Sequence, residues 1–323
     1  MQHSDTGLAV ETRELVKVFG DNRAVDGVDL AVPTGSIYGV LGPNGAGKST
    51  VINMLATLLR PDGGTATVFG HDVQHEAQIV RQLIGLTGQS ATLDEKLSAI
   101  ENLVIFARLL GLGRSEARRK AAELLDEFGL AEAGKRTLEK FSGGMRRRLD
   151  LAASRIAQPP LVFLDEPTTG LDPRTRIQMW TTIRRLVSSG STILLTTQYL
   201  DEADQLADRI AVIDHGRVAA EGTPEELKAK VGVATLHLRL AADKDTSEAV
   251  RIVQEVLKVK ALASEPTLIT APMADPERVT DLLIALRGVD IRLAGVSTQE
   301  PTLDEVFLTL TGNPKQAEEG SAE

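Results

Sequence analysis

Short apolar runs with turn formers between them set the frame of this chain. Val28, Leu30 and Val32 alternate with Asp29 and Ala31, and Pro33, Thr34 and Gly35 follow. That pattern predicts a half-buried strand closed by a turn. Residues 37–41 are continuously apolar, as a strand would be, and residues 49–59 continue with helical spacing. After a Pro-Asp-Gly-Gly turn at 61–64, residues 65–69 read as another short strand. From about residue 90 the period becomes helical. Ser98 and Glu101 have capping-box spacing ahead of a stripe of Ile100, Leu103, Val104 and Ala107. Ser115 is placed to cap a second helix, with a stripe of Ala121, Leu124, Leu125 and Phe128 and with Gly129 as its stop. A third helix runs from about Gly144 through Met145, Leu149, Ala152, Ala153 and Ile156 to Pro159 and Pro160. Three helices set between strands predict a helical subdomain over about 90–158.

Apolar runs return at 161–164, 191–196 and 210–213, separated by helical stretches. Such alternation predicts a mainly parallel sheet with helices on its faces, an α/β fold preceded by an antiparallel β region. Thr223, Pro224 and Glu226 supply a cap, a first-position proline and a capping-box glutamate, so a helix closes the first domain, 1–230. Residues 231–312 read as a small α+β domain, with strands at 235–240 and 289–296 and helices at 247–259, 275–286 and 302–310. Nothing in it suggests chemistry, which fits a packing or regulatory role. The polar stretch 313–323 is expected to be a disordered tail.

Composition narrows the partners. Aromatic residues are only 3% of the 323, so the cores are aliphatic, and the net charge of −9 argues against broad nonspecific nucleic-acid binding. Cysteine is absent, which removes disulfides, thiol catalysis and cysteine metal sites. The polar start lacks the blocks of a signal peptide, and no apolar run nears the roughly 18–20 residues that cross a bilayer. The expectation is a soluble, cytoplasmic chain whose membrane role, if any, needs a partner.

The candidate chemistry is concentrated at residues 42–50, which read GPNGAGKST and fit the GxxxxGK[ST] phosphate-binding pattern between a strand and a helix. Gly42, Gly45 and Gly47 allow backbone conformations in which successive amides point at a phosphate, Asn44 and Thr50 belong to the same loop, and the helix start adds unpaired amides. Lys48 is expected to reach the terminal phosphates and the Ser49 hydroxyl to take one position on Mg²⁺. The apolar run 161–164 leads straight into Asp165 and Glu166. One carboxylate suits Mg²⁺, the other the attacking water, so Asp165 is assigned to the metal and Glu166 to the general base. Phe141, Ser142, Gly143, Gly144 and Met145 offer a hydroxyl and two glycines ahead of a helix, which alone is only a good helix start.

These motifs, with Gln89 and the Gly170-Leu171-Asp172-Pro173 stretch in the same order, resemble the nucleotide-binding subunit of ATP-binding-cassette transporters over residues 8–230. The resemblance implies a P-loop nucleotide-binding cassette that hydrolyses ATP. It implies that Phe19 stacks on the base, an ordinary core or hairpin phenylalanine being the alternative. It implies too that Gln89 joins the Mg²⁺ site to the helical subdomain, that Ser142 and Gly144 contact the γ-phosphate held by the opposite subunit, and that Asp172 lies in the loop between the two sites. The expected unit is a head-to-tail homodimer around two ATP molecules with Mg²⁺. It is expected to work with a separate integral membrane permease at the cytoplasmic face of the cell membrane. Three positions depart from the family pattern. Phe141 and Met145 replace its usual leucine and glutamine, and Gln198 stands where histidine is usual. A glutamine amide still donates to a γ-phosphate but carries no charge.

Residues 146–154, 197–204 and 303–307 resemble the daunorubicin-resistance type of drug-export ATPase, a group that shares the glutamine at 198. The resemblance therefore implies efflux of a hydrophobic drug or antibiotic. Export of a lipid or another amphipathic metabolite is the alternative within transport. Outside transport, the alternative is a soluble cassette ATPase acting on ribosomes or DNA.

Overall fold

The computed structural model describes residues 7–88, 93–273 and 275–311. They form two compact units divided between Pro224 and Glu225, ahead of the boundary expected at Lys230, and the helix begun by Pro224 groups with the second unit.

The first unit opens with an antiparallel hairpin of β1 (Leu8–Phe19) and β2 (Asn22–Pro33). β3 (Ile37–Leu41) and α1 (Lys48–Leu55) flank the glycine loop. β4 (Gly63–Val68), β5 (His71–Asp72), α2 (Ala77–Leu83) and β6 (Ile84–Thr87) come next. The helical layer is α3 (Ala99–Leu109), α4 (Arg114–Glu127) and α5 (Gly143–Ser154). β7 (Leu161–Asp165), α6 (Pro173–Ser188), β8 (Thr192–Thr197), α7 (Leu200–Leu206), β9 (Arg209–Asp214) and β10 (Arg217–Gly222) complete the unit.

Two sheets result: an antiparallel one in the order β2-β1-β4-β5, and a six-stranded one in the order β10-β9-β3-β8-β7-β6. The second is parallel except for β10. Its central strands are buried on both faces, so alternate residues feed different cores. Val162, Leu164, Ile193 and Leu195 pack with the helical layer. Leu161, Phe163, Leu194 and Val40 pack with α1 and the antiparallel sheet. The pairings Leu41↔Thr197 and Asp165↔Thr196 bring the carboxyl ends of β3, β7 and β8 to one edge. That is the edge where open α/β sheets bind ligands.

Local signals explain much of the helical layer. The Ser98 and Glu101 capping box forms, with the Ser98 amide donating to Glu101 Oε2 at 2.8 Å. Gly129 ends α4's turn in the left-handed region, at φ 64°. Two expectations need correction. Ser115 is not a cap, because Gly113, with extended backbone, occupies the N-cap position and Ser115 lies inside the helix. The core face of α3 is Ala99, Leu103 and Ala107, while Ile100 and Val104 lie only half-buried, with Ile105 exposed beside them. Arg146, Arg147 and Arg148, at the start of the 146–154 stretch, are each engaged. Arg146 pairs with Glu95, Arg147 donates to the Gly88 carbonyl at 2.8 Å, and Arg148 donates to the Phe128 carbonyl at 3.3 Å.

Asp150, on the same helix, is 7% exposed, and burial pushes its carboxyl up from 3.8 to about 6, with Arg147 opposing. The folded state therefore binds the proton more tightly than the unfolded chain does. Stability falls as pH rises between about 4 and 6, by up to about 3 kcal/mol from this group. Asp150→Asn should remove that part of the slope, as thermal melts across this range would show. An unchanged slope would mean that Asp150 titrates normally.

The second unit comprises α8 (Pro224–Ala229), β11 (Ala234–Leu240), α9 (Thr246–Leu257), β12 (Leu262–Glu265), β13 (Leu268–Met273), α10 (Arg278–Gly288), β14 (Leu293–Gln299) and α11 (Leu303–Thr311). From β11 to β14 this is a βαββαβ unit with an antiparallel sheet in the order β12-β13-β11-β14, a ferredoxin-like arrangement. Leu236, Leu238, Ile269 and Ala271 cover one sheet face and pack on Ala249, Val253, Leu282 and Leu286. The strand expected at 289–296 starts only at Leu293, since Asp290 turns left-handed (φ 57°) after α10. The tail at 313–323 lies outside the described residues. No helix among the described residues is long and apolar enough to cross a membrane.

Candidate active site

The loop after β3 is shaped by close backbone approach. A Cβ on Gly47 (φ 105°) would sit 2.3 Å from the Ala24 carbonyl oxygen, and one on Gly42 would sit 2.2 Å from that of Ile213. Neither position admits a side chain. Gly47 is also the N-cap of α1 and provides no side-chain cap, so the first amides of that helix stay available to an anion. A cavity of about 350 Å³ lies over the loop, walled by Phe19, Asn22, Asn44, Lys48, Thr50 and Glu166 among others.

Lys48 is buried and donates to the carbonyls of Gly42 (2.7 Å) and Pro43 (3.0 Å), with Glu166 Oε1 at 3.6 Å. Burial holds its ammonium below the ordinary lysine value, while the Glu166 carboxylate opposes that shift. The Ser49 hydroxyl donates to Asp165 Oδ1 at 3.0 Å, and the Thr196 hydroxyl donates to the same oxygen at 2.5 Å. Glu166 is buried in the left-handed region (φ 49°), an uncommon conformation for a glutamate. Its amide donates to the Thr196 carbonyl and to the Thr196 hydroxyl, both at 3.1 Å, and Thr169 Oγ1 donates to its carboxylate at 3.2 Å. Thr196 thus orients both acids. Sequence reading missed it, since a hydroxyl in an apolar strand does not disturb the strand pattern. The Thr-Thr pair at the strand end was the available signal.

The structure therefore gathers Gly42, Asn44, Gly45, Gly47, Lys48, Ser49, Thr50, Asp165 and Glu166 at one edge. Phe19 is not a core residue: it is 48% exposed at the hairpin end and lines the cavity, and Lys17 Nζ lies 5.4 Å from its ring centre. Gln198 follows the last residue of β8 and is half-buried. Gln89 lies outside the described residues.

Ser142, Gly144 and Asp172 do not line this cavity. Ser142 caps α5, accepting from the Met145 amide at 3.3 Å. Asp172 caps α6, accepting from the Thr175 amide (3.0 Å) and hydroxyl (2.6 Å), bonds that hold its carboxyl below the ordinary range. Gly144 packs against Thr175. These residues form a second cluster.

A phosphate loop and an Asp-Glu strand end that share one sheet edge, yet are separated in sequence by a helical insert, are the mark of nucleotide-binding cassettes, and this chain is one. Comparison with known proteins narrows the class. The ABC transporter family model matches residues 25–169. The daunorubicin/doxorubicin resistance ATP-binding protein of Streptomyces peucetius is 57% identical, the alignment covering 95% of this chain and 93% of that protein. The doxorubicin resistance ATP-binding protein of Mycobacterium tuberculosis is 44% identical, with 96% of each chain covered. Among solved structures, a dimeric ATP-binding cassette in a post-hydrolysis state, bound to ADP and Pi, is 25% identical with a TM-score of 0.61, covering 66% of this chain and 98% of that one. The chain belongs to the ABC transporter family, as an ATP-hydrolysing subunit of the daunorubicin-resistance drug-export type.

Proposed function

We propose that this chain binds and hydrolyses ATP as a homodimer and thereby drives efflux of a hydrophobic drug through a separate membrane permease. The observation that carries this reading is the identity, over almost the whole chain, with a protein named for daunorubicin and doxorubicin resistance. In this reading the loop amides and Lys48 hold the β- and γ-phosphates and Phe19 stacks on the base. Ser49 and Asp165, hard oxygens already 3.0 Å apart, would hold Mg²⁺ together with Gln89. The ion would supply neutralisation of phosphate charge. Glu166 takes the proton of the attacking water, and Gln198 donates to the γ-phosphate.

Ser142, Gly144 and Asp172 serve the opposite subunit's nucleotide, which fits their place outside this chain's own cavity. The permease is assigned to the apolar groove of about 440 Å³ lined by Leu97, Ile100, Val104 and Ile105, which follows the segment bearing Gln89. An exposed apolar face of this kind suits a protein partner rather than nucleic acid. The subunit is accordingly placed at the cytoplasmic face of the membrane, held there by the permease.

Affinity capture of the tagged chain from its native membranes in mild detergent, with mass spectrometry, should return a stoichiometric multi-span protein. Recovery with ribosomes or DNA and no membrane protein would overturn the transport reading.

A further inference from the structure

Helix α6 grips the turn that follows β8 at three points. Arg176 Nη1 donates to Asp201 Oδ2 at 3.0 Å, and the same guanidinium lies 4.7 Å from the centre of the Tyr199 ring. One helical turn further on, Trp180 Nε1 donates to Glu202 Oε1 at 3.1 Å. Arg176 and Trp180 are four residues apart and share a helix face, so the grip is continuous. Between the gripped residues and β8, the Tyr199 amide donates to Thr197 Oγ1 at 2.9 Å, closing a short turn around Gln198. Gln198 therefore sits in a local turn whose next residues, Tyr199, Asp201 and Glu202, are held by α6.

Glu202 makes the grip exacting. It is wholly buried (0% exposed), and burial raises its carboxyl above the ordinary value. A buried carboxylate costs free energy that an aliphatic residue would not, and losing its donor leaves it worse off still. The hydroxyls of Thr197 and Thr168 offset part of that cost, and the Trp180 indole N–H, reaching in from α6, adds to them. The indole bond is made in one register of α6 against α7, so it ties the two helices together at a buried point.

We propose that Arg176, Trp180 and Glu202 are positioning residues for hydrolysis: they fix Gln198 from the helix that Asp172 begins. The inference rests on the reading of Gln198 as the γ-phosphate donor. It adds a route within one chain. Asp172 caps the helix that carries Arg176 and Trp180, so the 172 loop and the Gln198 turn are joined by one helix.

The test is steady-state ATP hydrolysis by the full-length chain carrying Trp180→Phe, Gln198→Ala or both. Trp180→Phe keeps an aromatic ring and removes the N–H. It should lower kcat about ten-fold with KM for ATP within about two-fold. Gln198→Ala should also lower kcat, and the double variant should be no slower than Gln198→Ala alone. Arg176→Met, which alters a less buried part of the grip, repeats the comparison if Trp180→Phe fails to fold. Losses that multiply with that of Gln198→Ala, or a wild-type kcat in Trp180→Phe and Arg176→Met, would overturn the proposal while leaving Gln198 its role. A wild-type rate in Gln198→Ala would remove the reading of Gln198, and the proposal with it.

Discussion

Glu166→Gln should keep ATP and lose turnover by about two to four orders of magnitude, the range expected when a general base is removed. The substitution is nearly isosteric. The amide bonds of residue 166 to Thr196 are backbone bonds and survive, and the side-chain oxygen still accepts from Thr169. What disappears is the ability of the Glu166 carboxylate, whose Oε1 lies 3.6 Å from the Lys48 ammonium, to take a proton from water. Nucleotide affinity should hold or tighten, because a negative charge leaves the phosphate site. With MgATP the variant should elute as a stable dimer, since closure no longer ends in hydrolysis. Near-normal turnover would remove Glu166 as the base, and a monomer under saturating ATP would count against the dimer.

Lys48→Ala fails at the earlier step. Lys48 is buried and its ammonium is the positive charge that the loop presents to an incoming phosphate. Truncating one member of a buried, charge-assisted contact costs about 2–5 kcal/mol, or roughly 1.5 to 3.5 orders of magnitude in affinity. There is a cost in the empty protein as well. The carbonyls of Gly42 and Pro43 lose their donor, and Glu166 loses its nearest cation. Equilibrium binding of a fluorescent ATP analogue should show the loss, and hydrolysis should fall because the site stays empty. Binding within a few-fold of wild type would assign phosphate capture to the loop amides alone. The two variants separate capture from chemistry.

The phosphate loop and the Asp-Glu pair were legible because backbone demands and strand ends leave local marks. Glycines at 42 and 47 are forced by carbonyls less than 2.5 Å from where a Cβ would lie, and glycine records that constraint in the sequence. A carboxylate pair after an apolar run is visible for the same reason. Thr196 left no such mark, because its role depends on β7 pairing with β8, a long-range event. β10 and the β12–β13 hairpin were missed for a related cause, being short strands with mixed composition whose identity comes from their partners. The contacts of the arginine run left no mark either, since Arg147 and Arg148 find backbone carbonyls of distant segments. The grip of α6 on residues 199–202 was likewise hidden, since nothing in the spacing of Arg176 and Trp180 says what they face.

The contact between Gly144 and Thr175 bears on the order in which this site can change over generations. A methyl group at 144 would lie 2.1 Å from Thr175 Cγ2, yet 3.4 Å or more from the other atoms of that side chain. Threonine cannot swing the methyl aside without moving the hydroxyl that Asp172 holds. Serine at 175 keeps the hydroxyl and omits the methyl. Any side chain at 144 therefore requires a change at 175 first, so Thr175 is a steric lock on the glycine that the opposite subunit's nucleotide meets.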